Sequence, residues 1–404
     1  MKRMLPILLI LFLGYVGFSI SLPLFPPLML EESHGFLTGS YSGFTRNVLL
    51  GLLLAMYPLG QFFGCPLIGR FSDRFGRKKV LLFSLGATIP TFIISAFAIH
   101  YSQVMLLFIA RFFCGLFEGN VVIAQAAMAD ISETPKEKSR YFSWGVTASS
   151  LAFVIGPLLG GKLSDPTLVS FFSFSTPFTL SAIVVILTFI YMAFQFKETR
   201  NPSAETNIHP LLIFRSIYNG TKSEKIRPIY RNNFLIFIAI FFFFNFLPVF
   251  LVKKFDMNPS SLSEVEAYLS VPIAIAPFFE GKLSNKLSPI TATISSALVL
   301  GLGTLILIPF SSKYALLATL IPPGFALAFA LTYTTVLVSM RTEKESQGEA
   351  LGINQSLQVF AEAFTAILGG FLAAKLASLP LIVSALFAFI GAGCYFIHRK
   401  KAPL

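Results

Sequence analysis

Gly69-Arg70-Phe71-Ser72-Asp73-Arg74-Phe75-Gly76-Arg77-Lys78-Lys79 places five cations and one carboxylate between two long apolar runs. Charge that dense, pinned between segments too apolar to lie in water, reads as a tight loop at a membrane surface. The composition agrees. The 404 residues are 55% hydrophobic and 12% charged, whereas a soluble chain carries about 25% charged residues.

At roughly 20 apolar residues per crossing, the chain predicts twelve spans, at about 4–29, 47–68, 80–100, 103–129, 141–163, 177–196, 233–252, 265–281, 290–309, 315–339, 350–373 and 379–397. The expected fold is an all-α integral membrane protein, twelve transmembrane helices in two pseudo-symmetric six-helix bundles. The bundles are residues 1–196 and 233–404, joined by a cytoplasmic linker over 197–232. No room is left for a separate soluble domain. Met1-Lys2-Arg3 ahead of an apolar run could open a signal peptide, but no small-residue cleavage site follows, so the run reads as the first helix.

The net charge of +12 would suit nucleic acid, yet its placement is topological. With a cytoplasmic N-terminus, 24 Lys or Arg fall on the inner side and six on the outer. This bias follows the positive-inside rule and would invert under the opposite topology. The chain is therefore expected in the inner (plasma) membrane with both termini cytoplasmic. Its expected partners are the bilayer and a small-molecule substrate, not nucleic acid, and a monomer is expected. Cys65, Cys114 and Cys394 show no paired spacing, so no disulfide or metal framework is implied. No nucleophile-base pair or phosphate loop suggests an enzyme, and no cofactor is expected beyond a proton as coupling ion.

Inside the spans, the polar residues carry the information. In the fourth, Arg111, Glu118 and Gln125 recur every seven residues, which on an unbroken helix puts them on one face about 10 Å apart. Charge at membrane depth is expensive and faces a bundle interior or a wet cavity. Arg111 and Glu118 could neutralise each other to lock two helices, or belong to a polar pathway. In the eleventh span Gln355, Gln358 and Glu362 share a face, and Glu362 reads as the one acidic residue deep in the second half. Asn120, Asn245 and Tyr333 add hydrogen-bonding groups to a cavity whose phenylalanine-rich walls suit an amphipathic cargo.

Breakers punctuate several spans. Gly14, Gly17, Pro23, Pro26 and Pro27 predict a kink in the first, and Gly156-Pro157 with Gly160-Gly161 a bend and close packing in the fifth. Pro272, Pro277 and Pro322-Pro323-Gly324 predict bent or broken eighth and tenth helices. In the linker, His209 to Tyr218 could form a short amphipathic helix on the membrane surface. A faint repeat sets Gly281 to Ser288 against Gly69 to Gly76, and Gly369-Gly370 against Gly160-Gly161. Parallel halves of this kind occur in secondary transporters, with the substrate near the midplane.

Up to about Thr199, ordered matches make the chain resemble the major facilitator superfamily, in particular its twelve-span drug:proton antiporters of the tetracycline-efflux type. The residues that carry the resemblance are Gly17, Pro23 and Pro26; Gly69, Ser72, Asp73, Arg74, Phe75, Gly76 and Arg77; Arg111 and Gly115; Ala129-Asp130; Gly156-Pro157 with Gly160-Gly161; Pro177-Phe178; and Glu198-Thr199. The resemblance implies alternating access. It implies a cytoplasmic gate of Gly69, Asp73, Arg74, Gly76, Arg77 and Asp130, with Arg77 paired to Asp130 and Asp73 near the start of the eleventh helix around Gly348. It also implies a part in proton coupling for Arg111 and an antiport bend at Gly156-Pro157.

The departures redirect this expectation. Gly14 stands where tetracycline carriers have a carboxylate, Ala152 replaces a glycine, and Glu118 replaces a small residue. The histidine and aspartate of the eighth and ninth spans are missing. Tetracycline is thus a poor candidate cargo, and proton coupling shifts to Glu118 and Glu362, since leaving water disfavours the charged form of a carboxylate. The expected function is export of drug-like or amphipathic molecules by proton antiport. A permease for a specific metabolite or siderophore, for uptake or export, stays open. So does a transport-dead sensor, which the intact loop and the two carboxylates oppose.

Overall fold

The computed structural model describes residues 4–37, 41–199, 226–284, 286–342 and 347–401. The segment His209 to Tyr218, most of the linker and Asn285 lie outside them. Among the described residues there are fourteen α-helices and no strand. In chain order they are α1 (Met4–Ser19), α2 (Phe25–Leu30), α3 (Gly43–Phe75), α4 (Arg77–His100), α5 (Val104–Phe117), α6 (Asn120–Asp130), α7 (Pro135–Leu163) and α8 (Thr176–Gln195). Then follow α9 (Arg227–Phe255), α10 (Pro259–Ser284), α11 (Pro289–Leu307), α12 (Lys313–Met340), α13 (Gln347–Lys375) and α14 (Leu379–Lys401). Eleven segments are long and apolar enough to cross a membrane, counting α5 with α6 as one, and α1 is a shorter apolar helix.

The helices form two compact units, Met1–Pro210 with Met257–Ala267, and Leu211–Asp256 with Tyr268–Leu404. In the first, α1 packs on α7, α3 on α5, and α4 on α5 and α8. In the second, α9 packs on α13 and α14, and α11 on α12 and α14. Counting spans within each unit, first meets fifth and third meets fourth and sixth in both. The faint sequence repeat is thus a repeat of packing.

Several starts are capped by their own side chains. The Thr45 amide donates to Ser42 Oγ at 3.2 Å, Glu137 to Thr134 Oγ1 at 3.2 Å, and Thr291 to Ser288 Oγ at 3.3 Å. Each capped group is one of the donors a helix cannot satisfy internally. At other ends cations do the reverse. Lys253 Nζ donates to the Ala373 carbonyl at 2.8 Å and Lys254 Nζ to that of Ile308 at 2.5 Å, at the C-terminal ends of α13 and α11, where positive charge is favoured.

Close packing rests on small residues. A Cβ on Gly60 would collide with the Phe112 carbonyl, on Gly64 with that of Leu116, and on Gly115 with that of Tyr57. Helices α3 and α5 therefore meet backbone to backbone, as membrane helices do through glycine. In the second unit the middle of α9 is mostly apolar and buried, and Phe237, Phe242, Phe243 and Phe246 are all fully enclosed.

Four expectations change. The basic stretch is not a loop, being helical to Phe75, with Gly76 alone separating α3 from α4. Its φ of +95° is a conformation that side chains disfavour. The first span is interrupted rather than kinked: residues 20–24 leave the helix, and Pro26 and Pro27 open α2, where a missing amide costs nothing. The fourth span is also broken, at Glu118 and Gly119. Conversely, α10 runs unbroken through Pro272 and Pro277, and α12 through Pro322 and Pro323. A Cβ on Gly324 would lie 2.5 Å from Pro272 Cγ, so the ring of one helix seats against the bare backbone of the other.

Adding one carbon at the α3–α5 contact should be costly. Gly64→Ala or Gly115→Ala is expected to destabilise the detergent-solubilised protein by about 1–3 kcal/mol, the usual range for overpacking. Gly393→Ala, with nothing within 4 Å, should leave the melting temperature unchanged. Equal melting of all three variants would show that the two backbones do not meet.

Candidate functional site

One end of the first unit is organised by Arg77, which opens α4 and is 4% exposed. Its Nε donates to Asp130 Oδ2 at 2.9 Å, Nη2 pairs with Asp73 Oδ1 at 2.9 Å, and Nη1 donates to Ser72 Oγ at 2.5 Å. One planar guanidinium thus joins the ends of α3, α4 and α6. The fork geometry of arginine is what permits this; a lysine would present a single point charge. Thr199 Oγ1 adds a hydrogen bond to Asp130 Oδ2 at 3.2 Å.

Glu198, just past α8, supplies the cap that Gly76 cannot. Its Oε1 accepts the Arg77 amide at 2.7 Å and its Oε2 the Lys78 amide at 3.1 Å. A carboxylate at that end also faces the positive pole of the helix. A Cβ on Gly76 would lie 2.6 Å from Glu198 Oε2, a second reason for glycine there. Of the other expected gate residues, Gly69 contributes its carbonyl to Ser72 Oγ at 2.7 Å. Arg74 is exposed and lies over the Phe75 ring, away from the cluster. Glu198 and Ser72 were legible only as matched residues, since nothing in their spacing assigns a cap or an arginine contact.

Near the middle of the chain's fourth span, the break at Glu118 and Gly119 has a packing cause. A Cβ on Gly119 would overlap the Ile68 side chain, so α3 presses against the break. Cys65 Sγ donates to the Glu118 carbonyl at 3.6 Å. Glu118 is buried and lines a cavity of about 20 Å³ with Gly14, Gly17, Thr88, Asn120 and Thr188. That is room for roughly one water. Gly14 and Gly17 keep it open: a Cβ on Gly14 would reach within 3.4 Å of Asn120 Nδ2, and one on Gly17 within 3.1 Å of Phe92 Cζ.

The seven-residue series is interrupted at Glu118 and Gly119. Arg111 and Glu118 are buried, whereas Gln125 is exposed. Among the described residues no ion pair joins Arg111 to Glu118. Arg111 Nη2 donates instead to Ser21 Oγ at 3.2 Å. Seven residues of continuous helix separate Arg111 from Glu118 by about 10 Å along the axis, and Gln125 follows the break.

Along α7, Pro157 stays within the helix and the glycines face neighbours. Side chains at Gly156 and Gly160 would overlap Ser19 Oγ and the Ile20 carbonyl, and one at Gly161 would overlap Ser263. Next to it Lys162 Nζ pairs with Glu264 Oε1 at 2.6 Å and donates to Ser260 Oγ at 2.9 Å.

In the second unit, α13 is continuous, so Gln355, Gln358 and Glu362 do share a face; Gln355 is exposed and the other two half-buried. Asn245 and Tyr333 are buried, and among the described residues Asn245 Nδ2 and Tyr333 Oη have no hydrogen-bond partner. Glu362 is not alone among acids in apolar helices. Glu266 is buried in α10, and Glu280 of the same helix reaches the Thr332 side chain. Both sit near the edges of the predicted eighth span, where an apolar window discounts them. A buried network was also missed: Asn233 Nδ2 donates to Asn354 Oδ1 at 2.8 Å and to the Thr334 carbonyl at 2.9 Å, and the Tyr395 hydroxyl donates to Asn233 Oδ1.

Comparison with known proteins accords with this architecture. Across 98% of its length, the class H tetracycline resistance protein of Pasteurella multocida is 26% identical to the whole chain. Multidrug resistance protein 2 of Bacillus subtilis is 25% identical over 97% of this chain and 94% of its own. Among solved structures, a bacterial homologue of the human lysosomal transporter Spinster, in an inward-facing and occupied conformation, superposes with a TM-score of 0.76 at 15% identity, covering 99% of this chain and 96% of that one. The family model for the Major Facilitator Superfamily matches residues 7–321 and, overlapping, 232–404. With two units of like packing and a matched model over nearly its whole length, the chain belongs to the major facilitator superfamily of membrane transporters.

Proposed function

We propose that this transporter is proton-coupled and works by alternating access, exporting drug-like or amphipathic small molecules by antiport. The observation that carries the reading is Glu118, a carboxylate buried within an apolar span beside a cavity that fits one water. Such a group is costly at membrane depth and is retained where an ion moves. Protonation and deprotonation of Glu118 in the first half, and of Glu362 in the second, shift the balance between the two facings. Tyr333, Asn120, Asn245, Gln125, Gln355 and Gln358 orient the cargo, and Arg111 belongs to the same pathway. The tetracycline and multidrug resistance relatives support export.

Arg77, Asp73 and Asp130, with Gly69, Arg74 and Gly76 around them, act as the gate on the cytoplasmic side. In this reading both termini lie on that side, in the inner membrane, and the bias of Lys and Arg supports the orientation. Gly156, Pro157, Gly160 and Gly161 provide the tight, bent seam of the fifth span.

Proteoliposomes with an imposed pH gradient test the coupling. A proton crossing 100 mV supplies about 2.3 kcal/mol, enough for tens-fold accumulation. Glu118→Gln and Glu362→Gln should each reduce accumulation of a drug panel to the equilibrium ratio, leaving binding detectable. Unchanged proton-driven accumulation in both variants would overturn the assignment. Glu280→Gln is the comparison that shows whether coupling in the second half lies on α10 instead.

The gate makes a separate prediction. Asp73→Asn removes one of the two carboxylates that balance Arg77, the more exposed one, and leaves Asp130 in place. Turnover should collapse while cargo binding to the purified protein persists. Full turnover in Asp73→Asn would show that these contacts are dispensable.

A further inference from the structure

Four helices of the first unit wall the cavity beside Glu118, with Gly14 and Gly17 from α1, Thr88 from α4, Asn120 from α6 and Thr188 from α8. Its volume of about 20 Å³ exceeds the roughly 10–15 Å³ that one water needs. Size alone does not make a water site, since an apolar cavity stays dry. The hydrogen-bonding capacity left over in the walls decides.

Thr88 Oγ1 donates to the Ser84 carbonyl at 2.8 Å, and Thr188 Oγ1 donates to that of Val184 at 2.7 Å, each one turn back along its own helix. With their protons spent there, both hydroxyls have only lone pairs to offer. Asn120 Oδ1 accepts the Val121 amide at 2.9 Å, which fixes the orientation of the side-chain amide and leaves Nδ2 as a donor on the side of Gly14. Among the described residues the Glu118 carboxyl group makes no hydrogen bond or ion pair. The titratable groups beside it are Tyr15 of α1 and Cys65 of α3, whose thiol is turned to the Glu118 backbone carbonyl. Arg111, two turns earlier, is turned to Ser21. Two acceptors, one donor and one carboxyl group thus border a space of one water. A water molecule matches that set, giving its hydrogens to acceptors and taking the amide on its oxygen. A sodium ion does not, because Nδ2 would aim the positive end of an N–H bond at it.

We propose that one water, held by Thr88, Thr188 and Asn120, is the immediate proton donor and acceptor of Glu118. The inference rests on the proton-coupling reading above and names the step that loads the carboxylate. In loading, an O–H bond of the water breaks and one forms on a Glu118 carboxylate oxygen, while the water oxygen takes up a proton arriving from solution. The water is regenerated, and unloading is the reverse. Thr88 and Thr188 are positioning residues, since their own protons stay on the carbonyls of their helices.

Infrared pH-difference spectra of the purified full chain in lipid bilayers, recorded in ordinary and in oxygen-18 water, test this. Acidification should raise a carboxyl C=O band that is lost in Glu118→Gln, together with a water O–H stretch that shifts with the isotope and is lost in the same variant. Thr88→Val with Thr188→Val keeps the side-chain shape and removes both hydroxyls. It should retain the carboxyl band, move it to higher frequency and lose the water stretch. Thr88→Ser with Thr188→Ser should keep both signals. No isotope-sensitive stretch tied to Glu118 in the unmodified protein overturns the proposal, whether or not the variants fold. A stretch that survives the double valine change overturns it as well. Sodium abolishing the stretch when it replaces choline at constant pH would also overturn it, by making the cavity a metal-ion site. The spectra need no gradient, so the two readings fail separately. A water stretch in a protein that accumulates nothing in proteoliposomes refutes the transport reading and leaves the water site standing. Coupling that is lost in Glu118→Gln, in a protein without the stretch, refutes the water site alone.

Discussion

The hydrocarbon interior of a membrane offers no partner to a peptide group, and the architecture of this chain follows from that constraint. Helices satisfy their own backbones, so the two compact units are bundles among whose described residues there is no strand. The exceptions are local and supported. Residues 20–24 keep turn hydrogen bonds, such as Leu22 to Ser19 at 3.1 Å and Leu24 to Ser21 at 3.2 Å. The break at Glu118 is held by hydrogen bonds to Gly115 and Phe117 carbonyls at 3.2 and 2.8 Å. Lipid also removes the hydrophobic drive between helices, leaving packing to hold them, which is why Gly60, Gly64 and Gly115 are needed where α3 meets α5.

Polar groups inside these bundles divide into those that are balanced and those that are not. Arg77 and its carboxylates are balanced, as is the Asn233, Asn354 and Tyr395 network of the second unit. Among the described residues, two donors of Arg111, the Asn245 amide nitrogen and the Tyr333 hydroxyl have no partner. In a membrane-spanning bundle a balanced group reads as architecture.

The spans were legible because runs of apolar residues are long compared with any soluble helix, and the Arg77–Asp130 contact because the motif carrying it is dense and ordered. The breaks were harder. Seven-residue spacing of Arg111, Glu118 and Gln125 assumes an uninterrupted helix, and only the approach of Ile68 to Gly119, fifty-one positions away, reveals the interruption. Proline misled in the other direction: α10 and α12 continue as helices through theirs. Glu266 and Glu280 were passed over because a hydropathy window averages away single charges near its edges. Asn233 and Asn354 are 121 positions apart, beyond the reach of periodicity.

Arg77 and Glu198 have a mechanical consequence. Four helical ends, those of α3, α4, α6 and α8, converge on one guanidinium and one capping carboxylate, with a single glycine as the shortest of their connections. That end of the first unit is stiff in the way of a riveted truss. The far end, where a turn over residues 20–24 stands in for a helix, has a different support: the bare backbones of Gly156 and Gly160 seat against Ser19 and Ile20.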